Sequence, residues 1–160
     1  MQVHELSRNN SIANKFISQL RDVLVQKDRM RFRRNIERLG EIMSYELSQE
    51  LNYQKQAIET PLGTSKIAQP DNEIVICSIL RAGLPLHQGI LNYFDDAENS
   101  FISAYRHHPD NDENFEVLVE YMASPSLEGK TLILADPMLA TGKSFANVLK
   151  AIAPMGKPAK

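Results

Sequence analysis

The stretch that most constrains this chain runs from Thr131 to Ser144, TLILADPMLATGKS. Thr131 to Ala135 is a short apolar run with β character, set between Gly129-Lys130 and Pro137. A run of that length, apolar throughout, suits a parallel strand covered on both faces. Asp136 stands where the strand ends, and Pro137 stops the ladder because it has no N–H to donate. The residues that follow, Ala140 to Ser144, are small and rich in donors, and Phe145, Val148, Leu149 and Ile152 then recur at helical spacing. Strand, tight loop and helix in succession aim unpaired backbone N–H groups and the positive end of a helix dipole at one point, which suits phosphate. A carboxylate beside such a cradle can hold hydroxyls, or a metal, on the same ligand. A Walker A loop, G-x-x-x-x-G-K-[ST], would use Gly142-Lys143-Ser144, but its first glycine would fall on Pro137, which cannot make the tight turn. The bland reading is an ordinary turn between strand and helix.

The rest of the chain supplies a sheet to carry that loop. Its 160 residues suit one domain, and a hydrophobic content of 42% is enough for a core. A net charge of −2 gives no general affinity for nucleic acid or an anionic membrane. No apolar run reaches membrane-spanning length and no secretory signal opens the sequence. The single cysteine, Cys77, lies inside the apolar run Ile74 to Leu80, so no disulfide forms within the chain and a cytoplasmic location is expected.

Asn10 or Ser11 is expected to cap a helix carrying Ile12, Phe16, Leu20 and Leu24. A longer helix is expected from near Asp28 to near Leu51, with Phe32, Ile36, Leu39, Met43 and Leu47 as its apolar face. Its start is basic, with Arg29, Arg31, Arg33, Arg34 and Arg38; a solvated face, a subunit contact and an anionic effector site all fit that run. Gln54 to Thr60 and Thr64 to Ala68 form an expected hairpin around Pro61-Leu62-Gly63. Glu73 to Ile79 reads as a central parallel strand, Leu84 to Phe94 as a helix, and Ile102 to Arg106 and Phe115 to Tyr121 as further strands. That order favours an α/β sheet, where ligands gather at the carboxyl ends of the strands. Three such ends carry Arg81, Arg106 and Asp136. Arg81 suits bidentate phosphate binding, against a structural salt bridge as its bland alternative, and Arg106 heads a polar loop. His107, His108, Asp110, Asp112 and Glu113 fit neither an EF-hand nor a helical zinc pair and read as a solvated loop. His87, on the helix after the central strand, reads as structural.

DPMLATGKS closely resembles the DPMLATGGS signature of the uracil phosphoribosyltransferase family. Arg31-Phe32-Arg33, Leu39-Gly40 and Tyr45-Glu46 resemble the family's helical arm, and Ile58-Glu59-Thr60-Pro61 resembles its hairpin. Ile79-Leu80-Arg81-Ala82-Gly83-Leu84 is similar to its ILRAGL segment, and Tyr105-Arg106 to the pair before its flexible loop. The resemblance implies a type I phosphoribosyltransferase-like α/β fold: a mostly parallel twisted sheet flanked by helices, with a helical arm (1–52), a hairpin (53–70) and an α/β core (71–160). It implies pyrimidine salvage, uracil and phosphoribosyl pyrophosphate giving uridine monophosphate and pyrophosphate. Asp136, Arg81 and Arg106 would be catalytic. The substrate would also be held by Pro137, Met138, Leu139, Ala140, Thr141, Gly142, Lys143 and Ser144. Magnesium would ride mainly on the substrate, with no dedicated protein metal site. A homodimer or higher homo-oligomer and a GTP effector are implied as partners. Two departures stand out. Lys143 occupies a position where the family usually has Gly, at a cost if that position needs positive φ. The uracil-contacting segment of the family has no counterpart before Lys160, so those residues are expected beyond it. A noncatalytic nucleotide-sensing module on the same fold and, after it, a P-loop NTPase are the alternatives.

Overall fold

The computed structural model describes residues 3–107, 116–138 and 142–160, and the side chains among them except those of 104–107, 116–120, 143 and 144. The elements in chain order are α1 (Ile12–Arg21), α2 (Arg29–Ser48), β1 (Tyr53–Thr60), β2 (Gly63–Pro70), β3 (Ile74–Leu80), α3 (Leu84–Leu91), β4 (Glu98–His107), β5 (Glu116–Ala123), β6 (Thr131–Ala135) and α4 (Lys143–Ile152).

The run of β3, apolar except for Ser78, demands cover on both faces, and it receives it. β3 pairs in parallel with β4 on one side and β6 on the other, and β5 joins β4 antiparallel at the edge, giving the order β5-β4-β3-β6. Val75, Cys77 and Ile79 pack on one face with Ile102, Leu127, Val148 and Ile152. On the other face Ile76 packs with Leu86, Ile90, Ala97 and Ala135. Helices α4 and α3 therefore cover opposite faces of the sheet. Burial also pushes the Cys77 thiol up from its ordinary value, as expected of a small core residue. Along the outer side of β6, the Ala159 N–H donates to Lys130 O at 2.9 Å and the Leu132 N–H to Lys160 O at 2.9 Å.

Both expected helix starts are present. Ser11 Oγ accepts the Ala13 N–H at 3.2 Å, and Asp28 Oδ1 accepts the Arg31 N–H at 3.0 Å. The buried face of α2 differs from the expected one. Phe32, Met43 and Leu47 are each 37% exposed, whereas Asn35, Gly40 and Ser44 are buried. The reason is the close approach of α3. A Cβ on Gly40 would lie 2.7 Å from Leu86 O, and one on Gly89 would lie 2.0 Å from Glu37 O. Two glycines let the helix backbones touch; a ridge of Phe, Leu and Met would hold them apart. Asn35 tolerates burial because its amide donates to Gln19 Oε1 at 2.8 Å and its carbonyl accepts from Arg38 at 3.2 Å. Leu24 lies beyond the end of α1 and is 72% exposed.

The hairpin β1–β2 forms its own two-stranded sheet, with Thr60 opposite Gly63. Several element bounds move, those of α3 and β4 among them. α3 stops at Leu91 instead of running to Phe94. β4 starts at Glu98 instead of Ile102, because the polar residues Glu98, Asn99 and Ser100 pair with Val75, Ile76 and Cys77. That pairing is a backbone matter with no hydrophobic signature.

Candidate active site

Because β4, β3 and β6 are parallel, their carboxyl ends share one edge of the sheet. β3 ends at Leu80, so Arg81 leaves the sheet first; β6 ends at Ala135, so Asp136 follows its strand in the same way. The register sets Ser78 beside Ala135, which brings the Arg81 and Asp136 segments side by side. Arg106 is the next-to-last residue of β4, whose Ser103 is level with Leu80. The three positions singled out from the sequence thus fall on neighbouring strands at one edge.

Gly83 locks this corner. A Cβ there would lie 2.6 Å from Ile79 O and 3.2 Å from Ala135 O, so α3 can begin directly over both strand ends only if residue 83 has no side chain. The Leu80–Arg81 peptide is cis. Arg81 is exposed and, among the described residues, makes no ion pair, so the structural salt bridge is not its role there. Asp136 is half-buried, and its Oδ1 accepts the Met138 N–H at 3.3 Å. That bond turns the chain away from the strand after Pro137.

Gly142 is the residue before α4, with φ 75°, and its carbonyl accepts the Ala146 N–H at 3.0 Å. The left-handed position therefore belongs to Gly142, which carries no Cβ penalty. Lys143 is already the first helical residue, so its replacement of the family's Gly costs no backbone strain. Among the described residues no side chain caps α4, and its N-terminus, with its unpaired N–H groups, is turned toward the site edge. Leu139, Ala140 and Thr141 lie outside the described residues, as do His108, Asp110, Asp112 and Glu113; Arg106, Lys143 and Ser144 are described by their backbone.

A cavity of about 370 Å³ opens next to Arg81. Phe32, Arg33 and Ile36 line it from α2, and Arg81, Ala82, Leu84 and Pro85 from the start of α3. Pro137 and Met138 close it on the β6 side. Arg33 was not singled out by the sequence reading, where it was one of five arginines in a row of similar spacing. His87 is structural, as expected: its Nδ1 is 2.7 Å from Ser78 Oγ and its Nε2 2.7 Å from Asn99 Oδ1. With Asn99 Oδ1 as acceptor, Nε2 carries the proton and Nδ1 accepts from the Ser78 hydroxyl. The pair of bonds ties α3 to β3 and β4 under the Arg81 loop.

Two cationic or amide-rich sites with a carboxylate between them suit a ligand bearing anions at both ends. A family model described as uracil phosphoribosyltransferase matches residues 7–160. The chain belongs to the uracil phosphoribosyltransferase family. It is 49% identical over 158 residues to the uracil phosphoribosyltransferase of Porphyromonas gingivalis, a match covering 99% of this chain and 73% of that protein. Among solved structures, the AQ2163 protein from Aquifex aeolicus superposes with a TM-score of 0.84 at 28% identity, covering 99% of this chain and 73% of that one. A purine phosphoribosyltransferase from Pyrococcus horikoshii superposes with a TM-score of 0.56 at 14% identity, over 77% of this chain and 68% of that one, a likeness of fold alone. The fold is the phosphoribosyltransferase α/β fold. Among the described residues, no helix is long and apolar enough to cross a membrane.

Proposed function

We propose that the protein transfers a phosphoribosyl group to uracil, phosphoribosyl pyrophosphate and uracil giving uridine monophosphate and pyrophosphate. The observation that carries this reading is the corner at Gly83, where Arg81 and Asp136 emerge from adjacent parallel strands beside the loop that leads into α4. The family of its relatives supplies the acceptor. The arm (1–52), hairpin (53–70) and core (71–160) would act as one domain.

In this reading the 5-phosphate rests on the loop from Pro137 to Ser144, through Met138, Leu139, Ala140, Thr141, Gly142 and Lys143, and on the N-terminus of α4. Fixing the phosphate there sets the anomeric carbon above the end of β6. Asp136 stands beside the ribose, where it accepts from ring hydroxyls and favours the positive charge that grows as the bond to the diphosphate opens. Arg81, with Arg106 from β4, holds the departing diphosphate through planar N–H forks. A magnesium ion held mainly by the substrate, with Asp136 beside it, would supply positive charge to offset that of the diphosphate leaving group. Among the described residues no group of three or more potential metal ligands forms, which suits a metal whose ligands would be mainly substrate and water. The half-exposed Phe32, Met43 and Leu47 on α2 support a homo-oligomer, and the basic start of the same helix is the ground for GTP as an effector. A cytoplasmic location belongs to the same proposal. The test is to give the full-length protein labelled uracil, phosphoribosyl pyrophosphate and Mg²⁺. Labelled uridine monophosphate that disappears in Asp136→Asn supports the reading; substrate bound without any nucleotide formed overturns it.

A further inference from the structure

The structure sorts the five arginines at the start of α2. Arg31 pairs with Asp28 at 3.5 Å and Arg34 pairs with Glu37. Arg38 donates to Asn35, and its guanidinium sits 5.1 Å from the centre of the Phe16 ring. The first two pairs are local to the start of α2, and Arg38 ties α2 to α1. Arg29 is the first residue of the helix and does not line the cavity beside Arg81. Arg33 does line it and, among the described residues, its side chain has no ion pair or hydrogen bond.

None of the residues lining that cavity is acidic, and apart from Arg33 and Arg81 they are apolar. The lining surface is almost wholly apolar, so Arg33 and Arg81 wall the cavity chiefly with their carbon stems and carry their charges at its rim, where an anion would meet both. A cavity of about 370 Å³ has the volume of roughly a dozen waters. That is ample for a compact anion with oxygens on more than one side. Pro137 and Met138, immediately after Asp136, form the remaining wall, so the cavity adjoins the end of β6.

We propose that Arg33 is a further substrate-binding residue, which reaches from α2 and shares with Arg81 the diphosphate of phosphoribosyl pyrophosphate and of the released pyrophosphate. The ligand's identity rests on the proposed function; the Arg33–Arg81 cavity rests on the geometry. The diphosphate then bridges α2 and α3, which already touch at Gly40 and Gly89, so the helical arm forms part of the substrate site.

The test is calorimetric titration of the full-length protein with magnesium phosphoribosyl pyrophosphate and, separately, with magnesium pyrophosphate. Wild type is compared with Arg33→Gln, Arg33→Lys, Arg81→Gln and Arg29→Gln, each checked for an unchanged urea midpoint. Loss of one charged hydrogen-bonding partner raises Kd by about tenfold or more for both ligands in Arg33→Gln. Arg33→Lys recovers part of that loss, and Arg29→Gln stays within about twofold of wild type, as exposed charges do. Wild-type affinity in Arg33→Gln, with affinity lost in Arg81→Gln, overturns this inference and leaves the proposed function standing. Equal weakening in Arg29→Gln also overturns it, by reducing the effect to general charge. Wild-type protein that binds neither ligand overturns the proposed function itself.

Discussion

Replacing Gly83 by alanine adds one methyl group where β3, β6 and α3 meet. Its Cβ would stand 2.6 Å from Ile79 O, 3.2 Å from Ile79 N and 3.2 Å from Ala135 O. All three are backbone atoms, so no side chain can swing aside. The dihedrals of Gly83 are ordinary, φ −69° and ψ −16°, and alanine adopts them freely. The substitution therefore gains up to about 1 kcal/mol through a less flexible unfolded chain. Forcing a methyl into a packed site costs about 1–3 kcal/mol, and rigid backbone neighbours put this case at the upper end. The clash wins, with a net loss of about 1–2 kcal/mol. Relieving the shortest contact moves the start of α3 by roughly 0.8 Å, since carbon and oxygen pack no closer than about 3.4 Å. Arg81 moves with it, away from Asp136. A misplacement near 1 Å costs up to about a hundredfold in turnover. The assays are urea unfolding and kcat/KM for uridine monophosphate formation. Gly129→Ala is the control, because Gly129 has φ 72° and nothing within 4 Å of an added Cβ. It loses about 1 kcal/mol from its dihedral alone and keeps full activity. Gly83→Ala with wild-type stability and wild-type kcat/KM would refute the reasoning.

Arg81→Lys keeps the charge but loses the planar fork, and kcat/KM falls by about tenfold or more; an unchanged value removes Arg81 from the diphosphate site. Gly142→Ala meets no atom within 4 Å among the described residues, so it acts through φ 75°, costing about 1 kcal/mol in urea unfolding and weakening phosphoribosyl pyrophosphate binding measured by calorimetry. The Asp28 carboxyl is held below its ordinary value of 3.8, chiefly by the Arg31 N–H. Its folded value is depressed, so the stability it confers is present above 3.8 and is lost as pH falls through the lower folded value. Asp28→Ala is accordingly less stable than wild type at pH 7, and the gap between their urea midpoints closes below that range.

The two central strands, the exit of the chain at Asp136 and the start of α4 after Gly142 were legible because their signals are local. An apolar run between Gly129-Lys130 and Pro137 can hardly be anything but β6, and the ends of β3 and β6 carry Arg81 and Asp136 by chain order alone. The buried face of α2 was not legible, because helical periodicity marks where apolar residues repeat and not which face a neighbour can approach. Gly40 and Gly89 decide that, 49 positions apart, through a contact no periodicity encodes. Arg33 was hidden for a related reason: five arginines look alike in sequence, and only the partners Asp28, Glu37, Asn35 and Phe16 set Arg31, Arg34 and Arg38 apart from a cavity wall. The start of β4 was missed because Glu98, Asn99 and Ser100 join the sheet through backbone bonds.

The central claim is that one ligand lies across this edge with its 5-phosphate at the N-terminus of α4 and its diphosphate at Arg81. A crystal structure with phosphoribosyl pyrophosphate and Mg²⁺ tests it most directly. Phosphate density is expected on the N–H groups following Gly142, the ribose beside Asp136, and diphosphate density against the Arg81 guanidinium. A ligand bound in the reverse direction, or phosphate density away from both sites, would contradict it.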